Sequence, residues 1–205
     1  MMTAPAADRL NTILFAVMAG GWLAPLLMFW LYVWGPLRPY SYPAGHLLPG
    51  PGFAVLVAGC VALWWVLPRS YFRVHRFERS GRLYERLGVR VFRGVAPDGD
   101  LVNRRVRRSD PGYRVVRGRR GVAAWVKRTE RSERGHAVLL MLGVVSAAYA
   151  WTIGWRGWAL YLTAGNVLVN LYPILLQRYT RSRLRRWFAA APVERRRYAA
   201  PVNGA

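Results

Sequence analysis

Residues 137–177 read AVLLMLGVVSAAYAWTIGWRGWALYLTAGNVLVNLYPILLQ, and the only charge among them is Arg156. The uncharged stretches on either side of it are 19 residues (137–155) and 20 residues (158–177) long. A bilayer hydrocarbon core of ~30 Å takes about 20 apolar residues of helix. The stretch therefore reads as two membrane spans joined by a tight turn. Outward from it the pattern repeats. Residues 12–34 are 23 residues without a charge. Residues 47–67 are 21 residues without a charge, with Pro49, Gly50 and Pro51 trimming the helix to begin near Gly52. A buried helix of a soluble protein would explain one such stretch but not four. The expected fold is an all-α membrane protein with four transmembrane helices. The first stretch exceeds a signal-peptide core, and no small-x-small cleavage pattern follows it, so it is expected to be a retained anchor.

The remaining composition fits this reading. The chain has 205 residues, 54% of them hydrophobic, and a net charge of +22. Ten Trp and eleven Tyr suit residues placed at membrane–water boundaries. A single cysteine, Cys60, excludes a disulfide framework and a Cys-based zinc ribbon; within an apolar helix its default role is packing. The basic residues are segregated. Arg38 and Arg156 alone lie between the first and second and the third and fourth stretches, whereas 29 of the 31 lie before, between or after the pairs. Positive residues beside spans stay cytoplasmic. Both termini and the central segment are thus expected inside. The expected division is 1–68 (helices 1 and 2), 69–135 (basic cytoplasmic segment), 136–178 (helices 3 and 4) and 179–205 (basic tail). Topology accounts for the charge, so nucleic acid is not an expected partner, whereas anionic lipid headgroups are. Lys127 is the only lysine; arginine suits bidentate phosphate contacts, and genome composition would produce the same bias.

The basic segment has its own pattern. Residues 69–87, RSYFRVHRFERSGRLYERL, carry Phe72, His75, Arg76, Arg79, Leu83 and Arg86 at helical spacings. They predict a helix lying along the membrane surface, stopped by Gly88. Pro97-Asp98-Gly99-Asp100 is turn chemistry. Residues 101–108 and 113–117, joined by Ser109-Asp110-Pro111-Gly112, predict a small hairpin. Residues 122–136 return to helical spacing and are expected to run unbroken into helix three.

Standard catalytic signatures are absent: no GxSxG, phosphate loop, Hx4D, CxxC or HExxH occurs. The three histidines, His46, His75 and His136, are scattered, and no metal site is expected. Two features remain. Glu133 and His136 are three apart, on one helix face, where the basic segment enters the bilayer. A carboxylate beside an imidazole can set its tautomer and raise its basicity, as a general base requires; two solvated interfacial residues would show the same spacing. On helix four Thr163, Asn166, Asn170 and Gln177 form a polar stripe, extended by Arg181, and Pro173 loosens the backbone within it. Such a stripe faces other helices or a cavity, either as interhelical hydrogen bonding or as the lining for a ligand headgroup.

These residues belong to a longer pattern. It runs Phe77-Glu78-x-x-Gly81-x-x-Tyr84-x-x-x-Gly88-Val89-Arg90-x-Phe92-Arg93, then Pro97-Asp98-Gly99 and Asn103, then Thr129-x-Arg131-x-Glu133-x-x-His136. It closes with Asn170-x-Tyr172-Pro173-Ile174-x-x-Gln177-Arg178-Tyr179-x-Arg181-x-Arg183. From about Phe77 to Leu184 the chain resembles the small integral-membrane acyltransferases of the glycosyl-4,4'-diaponeurosporenoate acyltransferase type, from staphyloxanthin-like carotenoid biosynthesis. The Gln-Arg-Tyr and Glu-x-x-His blocks are the most specific parts. Thr180 and Arg128 depart from the usual pattern, where Asn and Glu are common.

The resemblance implies transfer of a fatty acyl group to a sugar hydroxyl of a glycosylated carotenoid or other glycolipid, with an acyl thioester such as acyl-CoA as co-substrate and no cofactor. On this reading His136, oriented by Glu133, is the base. Asn170, Gln177 and Arg178 supply donors for the oxyanion, and Glu78, Asp98, Asn103 and Arg131 orient the segment or the sugar. The arginines between Arg79 and Arg93 would hold a phosphorylated carrier. No nucleophilic side chain presents itself, which favours direct transfer over an acyl-enzyme. The competing class is a non-enzymatic four-helix membrane protein that binds lipid or a partner subunit.

Overall fold

The computed structural model describes residues 4–34, 50–97, 99–112 and 118–189. Every regular element among them is helical, with no strand. Eight α-helices follow one another: α1 (Ala4–Trp34), α2 (Gly50–Val66), α3 (Arg82–Arg86), α4 (Val89–Val95), α5 (Asp100–Ser109), α6 (Gly118–Thr152), α7 (Arg156–Asn166) and α8 (Tyr172–Ala189). Two 3-10 turns, Arg69–Phe72 and Arg76–Glu78, precede α3, and a π-helical turn, Val167–Leu171, joins α7 to α8.

Three segments are long and apolar enough to cross a membrane: Arg9–Trp34, Gly121–Thr152 and Arg156–Arg186. A fourth crossing needs α2 to be counted with the turns that follow it, across a bend of 74°. The reason lies in α2 itself. Its 17 residues rise only ~25 Å, and Pro68 stops the helix before it reaches full span.

Two expectations for the basic segment are corrected. Residues 69–87 are not one surface helix. They are two 3-10 turns and the short α3: the backbone is extended at His75, with ψ 165°, and Gly81 takes a left-handed φ of 70°, so the helical path is broken twice. The first arm of the expected hairpin is helix α5, whose apolar Val102 and Val106 are buried four residues apart; its second arm, 113–117, lies outside the described residues. Residues 91 and 92 belong to α4. Gly88 does end α3, at φ 74°, and α6 runs from the basic segment into the apolar one without a break.

The chain forms two compact units. One comprises residues 11–68 and 133–174. Its core joins Trp22, Leu26, Phe29, Trp30 and Val33 of α1 to Ala147 and Ala150 of α6 and Ala159 and Leu162 of α7. Small residues let the aromatic rings in: Gly165 lies against Trp22, where an added Cβ would come within 2.7 Å of the indole. The Trp30 indole donates to Ser146 Oγ at 3.0 Å, and Ser146 donates on to the Leu142 carbonyl. The other unit comprises residues 1–10, 69–132 and 175–205. There the turns and α3 are held to α8 by polar contacts, with the Tyr84 and Tyr179 rings packed beside them.

Candidate functional site

The unit of residues 11–68 and 133–174 contains a chain of side-chain amides that ends on an imidazole. Asn166 Nδ2 donates to the Leu140 carbonyl at 2.9 Å. Asn170 Nδ2 donates to Asn166 Oδ1 at 2.8 Å. Asn170 Oδ1 faces His136 Nδ1 at 3.3 Å. The direction of this chain is set at its backbone end. A carbonyl only accepts, so Asn166 must turn its NH2 to Leu140 and its oxygen to Asn170. Asn170 must then turn its own oxygen to the ring. His136 Nδ1 therefore carries the proton, and in the neutral ring Nε2 keeps its lone pair.

Local structure builds this arrangement. Asn166 and Asn170 are both buried; Asn166 precedes the π-helical turn and Asn170 lies within it. Tyr172 N–H bonds back to the Val167 carbonyl, five residues earlier. Pro173 has no N–H, so the ordinary i−4 bond to the Val169 carbonyl cannot form. Gly143 makes room for the amide: a Cβ there would lie 2.5 Å from the Asn166 carboxamide. Glu133, the other half of the Glu-x-x-His pair, is fully buried on α6.

The second unit gathers a different cluster. Glu78 is its centre and is buried. One carboxylate oxygen pairs with Arg178 Nη1 at 2.9 Å and accepts from the Tyr84 hydroxyl; the other accepts the His75 backbone N–H at 2.6 Å. Arg178 also donates to the Tyr71 carbonyl at 2.8 Å and lies over the Tyr71 ring, 4.5 Å from its centre. Burial first, and then the hydrogen bond to Glu78 and its charge, push the Tyr84 phenol well above its ordinary pKa. Nearby, Tyr179 donates to Glu85 at 2.9 Å. On the α6 side, Arg181 donates to Thr129 Oγ1 and Gln177 to Ser132 Oγ, each at 3.3 Å.

Among the described residues no group of three metal-ligating side chains occurs. The family profile described as glycosyl-4,4'-diaponeurosporenoate acyltransferase matches residues 68–190, more than half of the chain. The chain belongs to this family. It is thus placed among the acyltransferases of carotenoid biosynthesis, with helices apolar enough to cross a membrane. No curated protein and no solved structure matches it.

Within this acyltransferase the residues singled out from the sequence fall into separate groups. His136 and Asn170 meet in one unit. Glu78 and Arg178, 100 residues apart in the chain, meet in the other. Gln177 pairs with Ser132, Arg131 is exposed on α6, and Asn103 is half-buried on α5. Asp98 lies outside the described residues. Tyr71, Tyr84 and Ser132 were not anticipated as partners. Tyr84 was visible in the motif, but an aromatic in a basic segment gives no sign that its hydroxyl will meet a carboxylate. Ser132 carries no spacing signal at all.

Proposed function

We propose that this protein transfers a fatty acyl group from an acyl thioester to a sugar hydroxyl of a glycosylated carotenoid or related glycolipid within the membrane. The observation that carries the reading is the polarised amide chain ending on His136, in a chain that belongs to an acyltransferase family. A general base needs a free lone pair on an oriented ring. The Asn166–Asn170 chain supplies that orientation, with Nε2 as the basic atom. In the proposed step Nε2 removes the hydroxyl proton while the sugar oxygen attacks the thioester carbonyl. The tetrahedral intermediate collapses, the C–S bond breaks, and the thiolate leaves with the proton from the imidazolium. Glu133, buried three residues before His136, offsets the positive charge that develops on the ring.

Gln177, Arg178, Arg131 and Asn103 are proposed for the basic face. Arg178 and Glu78 engage one another, which fits a role in holding that segment as the acceptor's sugar is bound. The arginine distribution supports an orientation with both termini and the 69–135 segment in the cytoplasm, the side on which acyl-CoA is available.

The test is acyl transfer from palmitoyl-CoA to a glycosylated carotenoid by purified protein in lipid discs. His136→Ala is expected to lower kcat by about 10²–10⁴-fold with little change in Tm. Full activity in that variant would remove His136 as the base. Asn170→Ala should lower turnover more than it lowers Tm; equal loss of folded protein would make the amide a packing element.

A further inference from the structure

A groove of about 500 Å³ runs along the seam between α6 and α7. Its floor is small and buried: Gly143, Ala147 and Ala159. Its walls include the exposed Val144, Ala148 and Leu160. Trp151 stands at one end, and Leu140 and Leu171 at the other. The size lies within the range of small-molecule sites. We propose that this groove holds the acyl chain of the donor, with the thioester at the Leu140–Leu171 end; the assignment rests on the acyltransferase reading above.

Three observations select this occupant. The first is polarity. The lining is apolar except for Asn166 and Thr163. Asn166 is also the amide that receives Asn170 and, through it, is coupled to His136. The groove thus leads from a hydrocarbon end to the hydrogen-bond chain that reaches the imidazole. The second is direction. Leu140 follows His136 by four residues, so the two share a face of α6; the seam continues from the groove toward the ring. The third is length. From Leu140 to Trp151 the helix rises ~16 Å, about half of a ~30 Å hydrocarbon core. That is the depth of one leaflet, which a single fatty-acyl chain fills. A stiff polyene as long as the bilayer is thick would overrun it.

The test is chain-length selectivity. Ala148→Phe adds bulk to an exposed wall near the Trp151 end, away from the amide chain. Its kcat/KM for palmitoyl-CoA is expected to fall about tenfold or more, while that for octanoyl-CoA stays near the parent value. Leu160→Trp, on the facing helix, should act in the same direction and guards against a folding defect in the first variant. If both variants stay active with the parent's chain-length ratio, the groove holds bilayer lipid only and the assignment fails. If the parent itself transfers no acyl group from any thioester, the acyltransferase reading fails instead, and this site falls with it.

Discussion

The two polar clusters bury hydrogen-bonding groups by opposite means. In the unit of residues 11–68 and 133–174, Leu140, Asn166, Asn170 and His136 form a single file in which each polar contact fixes the next. In the other unit, Glu78 receives three donors at once and Arg178 is held by an ion pair, a carbonyl and an aromatic face. The difference follows from the surroundings. An apolar helix pair tolerates neutral amides, since each unpaired polar group in hydrocarbon is costly. A buried carboxylate requires an opposite charge and filled lone pairs. The single file is suited to setting a tautomer. The hub is suited to fixing three separate stretches of chain, around Tyr71, Glu78 and Arg178, within one unit.

The hub is the place where substitution should cost most stability. Glu78→Ala leaves the Arg178 guanidinium without its carboxylate and the Tyr84 hydroxyl without its acceptor. The expected loss is about 3–5 kcal/mol, read as a lower Tm or an earlier denaturant midpoint in detergent. A loss below about 1 kcal/mol would mean that the cluster behaves as a surface ion pair, and the contrast between the units would break.

Gly143→Ala probes the single file. The new methyl collides with the Asn166 carboxamide, and overpacking of this kind costs about 1–3 kcal/mol. The sharper reading is nitrogen NMR of the ring. Displacing Asn166 should lower the share of His136 with the proton on Nδ1. An unchanged tautomer would show that the chain does not control the ring.

The smallest effect is expected from Tyr84→Phe. In the folded protein the phenol is raised above its ordinary value of about 10, by burial and then by Glu78. Its protonated form is therefore favoured by folding. That contribution is present below about pH 10 and is lost as pH climbs toward the raised folded value. Tm should fall with pH above about 10 in the parent and fall less in the variant, which gives up a hydrogen bond worth about 1 kcal/mol. Parallel alkaline profiles would remove Tyr84 from the hub.

Much of the site's raw material was legible in advance. Glu133 and His136 stood out by their spacing at the mouth of a span, Asn170 and the Asn166 stripe because polar groups are rare within apolar stretches, and Glu78 and Arg178 because they sit in a recognisable motif. Their partnerships were not legible. The Glu-x-x-His spacing drew attention to Glu133 as the residue beside the ring, yet the geometry brings Asn170 to Nδ1 from another helix. The expected surface helix of residues 69–87 failed at the extended His75 and again at the left-handed Gly81, where helical periodicity in the side chains was overridden by the backbone. There Gly81 is also needed for space, since a Cβ would lie 2.9 Å from Arg186 and 3.2 Å from Tyr179.

By itself the sequence determined the class of the protein: long uncharged helices, basic residues gathered at their ends, and a stop at Gly88. These depend on sums over neighbouring residues, hydrophobic length and local charge, which the order of the chain contains directly. Only the tertiary structure decided which groups meet. The Glu78–Arg178 pair, the direction of the amide chain and the groove between α6 and α7 each depend on the packing of segments far apart in the chain. The amide chain depends as well on a π-helical turn that shifts the register of Asn170, and no periodicity in the sequence announces it.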